Sequence, residues 1–235
     1  MQRRTTLTAV IAAATMALST LAATPALAAD GPKKSPYTVE QLAKVRDVLA
    51  KRGATASQID QVLADPELVA AIPMSIETGP VVAGKPTKVQ APKQGAGGIS
   101  PMSIGNTCSG YQNWVELTLK IRSLAGVELG HFRLHQDFCY DLVQVTYSSY
   151  YIDAGVTVTG TIGGLQYEGV PSGVSEAFQI WDGHANGQAR TYAQGKFRTT
   201  ILWVGEIGAV YPTITLYGRY HGTWDGSGTC NWCTL

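Results

Sequence analysis

The spacing of apolar residues along the chain changes from a helical period to an extended one. Within residues 29–72 apolar residues return every three or four positions, which lines up one side of an α-helix. From residue 115 onward the period is two, as in a strand with one face in water. The pattern predicts a small helical segment followed by a β-rich region. The residues that set the two periods are Val39, Leu42, Val45, Val48 and Leu49, and then Val115, Leu117, Leu119 and Ile121.

Three N-terminal signals divide the helical segment. Residues 38–41 (Thr-Val-Glu-Gln) and 55–58 (Thr-Ala-Ser-Gln) have the spacing of capping boxes, in which two side chains satisfy the first amide groups of a helix. Asp65 before Pro66 is typical of an N-cap followed by proline at the first helical position. A segment this short builds little core of its own. We therefore expect it to pack on another part of the chain.

Residues 108–235 carry the extended period and are predicted to form an antiparallel β-sandwich or jelly-roll-like domain. Glycine is frequent there, and no stretch has a helical period. The alternation changes face near Gly130, which predicts a β-bulge. Asp225-Gly226 predicts a turn, as do two similar dipeptides at residues 182–183 and 186–187. The later strand-like runs span residues 143–152, 156–162, 189–204 and 211–224.

Residues 73–107 lie between these regions and have neither period. They are rich in proline and glycine and contain no aromatic residue, so we expect a flexible or extended linker. Within it, Pro73-Met74-Ser75-Ile76 recurs at residues 101–104. The repeat is either a coincidence of biased composition or a pair of similar docking or processing segments.

The first residues have the layout of an export signal. Arg3 and Arg4 precede an apolar stretch over residues 7–18, and residues 26–28 (Ala-Leu-Ala) supply the small residues before a signal-peptidase cut. Residues 1–28 are predicted to be a signal peptide, with an uncleaved anchor as the alternative. No second apolar stretch of membrane length follows, so we expect no membrane span after cleavage and a secreted, extracellular protein.

Charge and motifs narrow the classes of function. The chain has 18 Lys+Arg against 17 Asp+Glu, a net charge of +1, with no basic run or face, so a nucleic-acid partner is not expected. The sequence lacks a phosphate-cradling glycine loop, a His-Glu-x-x-His helix and a Gly-x-Ser-x-Gly elbow. We accordingly expect no cofactor.

Four cysteines in an oxidising compartment are expected to form two disulfides. Cys108 and Cys139 flank the open end of the first predicted hairpin, which favours that pair and leaves Cys230–Cys233 as a tight loop. The alternative ties the C-terminal pair back to Cys108 and Cys139. A redox dithiol at Cys230–Cys233 is disfavoured, because no helix follows to lower the pKa of a thiol.

The histidines offer weak candidates for catalysis. His131 and His135 lie on one alternating strand about 13 Å apart, too far for one zinc ion, and no metal site is expected. We expect both on a solvent-facing strand surface. His184 and His221 are the candidate general bases, and Asp182, Glu176, Asp137 or Asp225 could orient either one. The sequence leaves open whether the protein is an enzyme and favours a non-catalytic role.

Aromatic residues suggest a binding surface. The region from residue 108 onward holds all five tryptophans, all four phenylalanines and ten of the eleven tyrosines. Rings that stack on sugars beside hydrogen-bonding groups are typical of carbohydrate recognition. The run 211–224 predicts a strand with hydroxyls and a cation on one face. The candidate binding residues are Trp181, Tyr217, Arg219 and His221. The alternative is that the aromatics serve the core and cross-strand pairs.

Three short stretches carry a resemblance to a known group: Leu124-Ala125-Gly126, Asp137-Phe138-Cys139-Tyr140-Asp141 and Val210-Tyr211-Pro212-Thr213-Ile214. Together with the export signal, the helical segment and the linker, they make the chain similar to uncharacterised secreted proteins of high-GC Gram-positive bacteria. The resemblance implies a secreted, disulfide-containing β-domain and brings no particular activity with it.

Three functions fit these expectations. The first is a secreted, non-catalytic β-sandwich protein that binds extracellular or cell-wall carbohydrate. The second is a secreted hydrolase or toxin made as a precursor, with residues 29–104 as its pro-region. The third is a structural or partner-binding extracellular protein whose helices dock on the sandwich. The oligomeric state is left open.

Overall fold

A computed structural model describes residues 35–89, 103–104, 108–171, 176–180, 187–201 and 203–231. The predicted signal peptide, residues 1–28, lies outside these ranges. No helix within them is long and apolar enough to cross a membrane. The described residues form helices and strands with the following bounds: α1 Val39–Lys51, α2 Ala56–Ala64, α3 Pro66–Ala71, β1 Pro73–Thr78, β2 Val82–Ala83, β3 Thr87–Lys88, β4 Ser103–Ile104, β5 Tyr111–Ser123, β6 Glu128–Tyr140, β7 Val145–Val156, α4 Val158–Ile162, β8 Leu165–Tyr167, β9 Glu176–Ile180, β10 Gln188–Gln194, β11 Phe197–Ile201, β12 Gly205–Arg219 and β13 Trp224–Asn231.

The three predicted helix starts are confirmed. In the first capping box the Gln41 amide donates to Thr38 Oγ1 at 3.2 Å, and the Thr38 amide donates to Gln41 Oε1 at 2.8 Å. Thr55 and Gln58 repeat this exchange at the start of α2, at 3.3 and 2.8 Å. At the start of α3 the carboxylate of Asp65 accepts from the amide of residue 67, and proline takes the first turn.

Two antiparallel sheets build the β region, as predicted. The first has the strand order β1-β5-β6-β7-β4, with β2 and β3 also paired to β5. The second has the order β8-β11-β12-β10-β9, and β13 pairs with β12. Both β10 and β13 pair with the same stretch of β12, so they lie on its two sides. Inward side chains of both sheets share one core, which includes Leu117, Leu119, Phe132, Leu134, Phe197, Ile214 and Leu216.

A second core joins the helices to one end of the second sheet. Buried residues of α1, α2 and α3 pack with Ile201, Val204 and Ile207, which surround the turn between β11 and β12. The side-chain amide of Gln58 also donates to the carbonyl of Val204 at 2.9 Å. The expectation that the helical segment packs on another part of the chain is therefore confirmed.

The predicted face switch near Gly130 is a β-bulge. Ile121 of β5 lies opposite Gly130, but the next residue, Arg122, lies opposite Glu128. Leu129 is the extra residue, and both it and Gly130 are buried. Beyond the bulge the alternation resumes with polar residues outward, which sets the orientation of every side chain farther along β6.

The described part of residues 73–107 is extended, one of the two forms expected for the linker, and it pairs with the first sheet. β1, β2 and β3 run along the outer edge of β5, and β4 pairs with β7 at the other edge of the same sheet. Residues 73–76 of the first Pro-Met-Ser-Ile copy and residues 103–104 of the second thus lie at opposite edges, with Ile76 across from Ile121 and Ile104 across from Ser148. The physical reason is that long central strands leave backbone amide and carbonyl groups unpaired, and any extended neighbouring chain can satisfy them.

Two local expectations in the β region are wrong. Residues 158–162 form the short helix α4 instead of a strand, because Thr157 Oγ1 accepts from the Gly160 amide at 3.1 Å and caps a helical turn. Asp225-Gly226 lies inside β13 and not in a turn. The turn before β13 falls earlier, where Gly222 has a φ of 76° that favours glycine.

Cys108 and Cys139 form a disulfide, with their Cα atoms 5.2 Å apart. This is the first of the two pairings that the sequence left open. It fixes the approach to β5 against the end of β6, its partner strand. Cys230 is disulfide-bonded as well, and Cys233 lies outside the described residues.

Candidate functional site

The outer surface of the second sheet carries a row of polar side chains along β12. Thr213, Thr215 and Tyr217 point outward and are partly exposed, whereas Ile214 and Leu216 point inward and are fully buried. Arg219 continues the outward series and is exposed. The structure thus places the predicted residues Tyr217 and Arg219 on one face, as the alternation indicates.

The two strands beside β12 extend this polar surface. On β10, Arg190 lies opposite Tyr217 and Gln194 lies opposite Thr213. The guanidinium carbon of Arg190 is 6.0 Å from the centre of the Tyr217 ring, and the Gln194 amide donates to Thr213 Oγ1 at 3.0 Å. We call this surface the hydroxyl face and define it as Arg190, Tyr192, Gln194, Thr213, Thr215, Tyr217, Arg219, Asp225, Ser227 and Thr229.

Charge on the hydroxyl face is sparse and mixed. Arg219 Nη2 lies 3.7 Å from Asp225 Oδ2, and both side chains are largely exposed. Ser227 and Thr229 of β13 are exposed beside Thr215 and Thr213. The surface therefore offers hydrogen bonds from hydroxyl and amide groups, together with two tyrosine rings, to a ligand that lies along it.

The sequence predicts His221 on the same strand face as Tyr217 and Arg219, but the residue lies beyond the end of that strand. β12 ends at Arg219, and His221 sits in the turn that follows, with its ring centre 3.7 Å from that of Tyr220. A Cβ atom at Gly222 would lie 2.2 Å from Tyr140 Oη, so the turn packs closely against the end of β6. The general-base role of His221 stays a prediction.

Three other predicted site residues, Trp181, Asp182 and His184, lie outside the described residues. Of the carboxylates considered as partners for a histidine, Asp225 lies beside Arg219, and Asp137 lies beside a different histidine, His135.

The surroundings of His135 form a second polar cluster, on the outer face of the first sheet. Its ring lies between those of Trp114 and Tyr151, with ring centres 5.3 and 4.6 Å away and planes within 22° of parallel. Nδ1 is 3.1 Å from Glu116 Oε2, and Nε2 is 3.5 Å from Asp137 Oδ2. Only 13% of the side chain is exposed, so the ring is more covered than the expected solvent-facing strand surface implies.

The two carboxylates beside His135 affect its pKa. Burial of the ring opposes its charge, but hydrogen bonds with Asp137 and Glu116 outweigh this and raise the pKa of His135 above its ordinary value. Arg133 continues the chain of charges by pairing with Glu116 and Asp153. No group of three or more metal-ligating side chains with the geometry to hold an ion occurs among the described residues.

Sequence reasoning missed this cluster because its members come from three strands. Glu116 and Tyr151 lie on either side of His135 only when the registers of β5, β6 and β7 are known. The available signal was the alternation along residues 131–137, which places His131, Arg133, His135 and Asp137 on one face.

Comparison with protein-family models, with curated proteins and with solved structures finds no match to the chain. The class of protein is therefore defined by its own geometry. It is a mainly antiparallel, two-sheet β protein with a small helical segment packed at one end and a hydroxyl-rich, tyrosine-bearing face on its second sheet.

Proposed function

We propose that the protein is secreted and binds extracellular or cell-wall carbohydrate on the hydroxyl face, without catalysing a reaction. The observation that carries this proposal is the position of Tyr217 and Tyr192 on neighbouring strands, surrounded by hydroxyl and amide groups. Aromatic rings contact the apolar C–H faces of sugars, and the polar groups around them fix the orientation of the ligand.

The two aromatic surfaces of the protein differ in what their rings can contact. In the first sheet, Trp114 and Tyr151 each turn one flat face to the His135 ring, so that face is used within the stack. In the second sheet, Tyr217 has the Arg190 guanidinium near its ring and stands among small hydroxyl residues. This difference favours the second sheet as the surface for a sugar.

Two features support an extracellular site of action. Residues 1–28 have the layout of a signal peptide. The Cys108–Cys139 disulfide is of the kind that persists in oxidising compartments. Both fit a ligand found outside the cell, such as a wall or environmental polysaccharide.

The test is retention of the mature protein on insoluble glucan, chitin and peptidoglycan, followed by affinity measurements on soluble fragments of the polymer that retains it. We expect Tyr217→Ala and Tyr192→Ala each to weaken binding about tenfold, as for the loss of a stacking ring. Trp203→Ala is the matched control, because Trp203 is 68% exposed in the turn between β11 and β12, away from the face. A protein that stays in the supernatant with all three polymers contradicts the proposal, and so does an equal loss in Trp203→Ala.

A further inference from the structure

A cavity of about 260 Å³ opens where the helices meet the second sheet. Tyr211 is the residue that precedes Thr213 in the outward series of β12, so the cavity adjoins one end of the hydroxyl face. We call it the Arg52 pocket and define it by its lining residues: Lys51, Arg52, Glu206, Gly208, Ala209 and Tyr211.

The pocket is built by the close approach of α1 to β12. Gly208 has a φ of 111°, and a Cβ atom there would lie 2.5 Å from the Cβ of Arg52, so only glycine allows this contact. Arg52 is the C-cap residue that follows α1, and its Nη2 donates to the carbonyl of Pro73 at 2.6 Å. The guanidinium is therefore fixed by the backbone at the start of β1.

Positive charge predominates in the pocket. Lys51 and Arg52 supply two cations against the single carboxylate of Glu206, which lies 3.4 Å from Arg198. Lys51 is steadied by Asp47, one helical turn earlier, at 2.7 Å. Burial lowers the pKa of Arg52 to about 10, because its charge is poorly hydrated.

We infer that the Arg52 pocket receives an acidic group, a carboxylate or a phosphate, carried by the saccharide that lies on the hydroxyl face. This inference rests on the proposed function and names its substrate class as an acidic saccharide. The cavity has room for about one sugar unit, which is smaller than the sites that enclose whole ligands. Lysine and arginine are the residues that proteins use to bind either anion.

The experiment compares parent and acidic forms of one backbone on the full mature protein. Soluble glucan and chitin oligosaccharides are each titrated beside their C6-carboxylate derivative, and glucan also beside its C6-phosphate derivative. We expect at least one derivative to bind about threefold to tenfold more tightly than its parent. The carboxylate and phosphate arms identify which anion is preferred.

Two variants of pocket residues and one control variant then test whether the pocket causes the preference for the acidic derivative. Lys51→Gln should remove most of the difference between derivative and parent, whereas Lys44→Gln should keep it. Lys44 is the matched control, since it lies on the same helix in the same kind of ion pair, with Glu40, but does not line the pocket. Glu206→Gln should strengthen binding of the derivative about threefold, because a repelling carboxylate is lost.

The outcomes separate the two proposals. Equal binding of parent and derivatives, or a preference that Lys51→Gln and Glu206→Gln leave unchanged, overturns the acidic-saccharide inference while carbohydrate binding stands. Failure of every parent and every derivative to bind overturns the proposed function and the inference together. Because the side chains of Lys51 and Glu206 are about half exposed, neither substitution threatens the fold.

Discussion

His135 has more polar and aromatic partners than other described residues on the outer face of the first sheet, because three strands deliver them. Trp114 and Glu116 come from β5, Asp137 from β6 itself and Tyr151 from β7. A charged ring placed between two carboxylates and two aromatic rings is stabilised on every side. Its protonation is therefore linked to the stability of the three strands it joins.

His135→Gln should make the stability of the protein less dependent on pH. The pKa of His135 is raised on folding, so its contribution is complete below the ordinary value of about 6.5 and is lost as pH rises through the raised value. We expect the variant to lose about 1 kcal/mol of unfolding free energy relative to wild type near pH 5.5 and less near pH 9. Urea unfolding at both pH values measures this.

His221→Gln is the control for that titration, since His221 is exposed in the turn after β12. Its unfolding free energy should match that of wild type at both pH values. The charged groups around His135 are Glu116 of β5, Arg133 and Asp137 of β6, and Asp153 of β7. A deficit in His135→Gln that is equal at the two pH values, or larger at the higher one, contradicts the linkage.

Among the helices and strands, those with local signals were predictable and those with distant partners were not. The helix starts at Thr38 and Thr55 follow from side chains three residues apart. The sequence does not predict strand β1, because β1 forms only by pairing with the edge of β5. The two strands are far apart in the chain: Arg122 of β5 donates to Glu77 of β1 across a sequence separation of 45. The sequence predicts a strand where α4 forms, because Val158 and Ile162 favour strands. The N-cap Thr157 instead decides the local structure.

The two capping boxes give a matched comparison of a local and a long-range role. Gln41 and Gln58 occupy the same position in their boxes, but the side-chain amide of Gln58 also donates to the Val204 and Glu206 carbonyls, at 2.9 and 3.3 Å. We expect Gln58→Ala to cost about 1 kcal/mol more unfolding free energy than Gln41→Ala, from the additional hydrogen bonds. Chemical denaturation of the two variants measures the difference, and equal losses would show that the contact with the β11–β12 turn contributes nothing.

At the scale of the whole molecule, the helices and the sheets share buried surface. Residues from Ser35 onward form one compact unit, and the helical core includes Ile201, Val204 and Ile207 from the second sheet. The sequence predicted the mainly β class from its period of two, and it predicted that the helices need a partner. It could not name that partner, because the residues in contact lie more than 100 positions apart in the chain.

The shared core predicts a single cooperative unfolding transition. Val62→Ala, a change in α2 that removes fully buried apolar surface, should lower the midpoint for the helical and β signals together. Circular dichroism at helix and strand wavelengths, with calorimetry of the same sample, measures this. Two separated transitions would contradict the shared core and would favour the hypothesis that residues 29–104 are a removable pro-region.

The edges of the first sheet bear on how the protein behaves when it is concentrated. Its central strands have 13, 13 and 12 residues, long enough to recruit a strand from another molecule if their edges were open. On one side, β5 is covered by three short strands broken at residues 79–81 and 84–86, and on the other, β7 is paired over two residues by β4. The short strands β2 and β3 offer a foreign chain little continuous backbone to join. The broken row of strands along β5 thus helps the protein resist edge-to-edge aggregation on that side of the sheet.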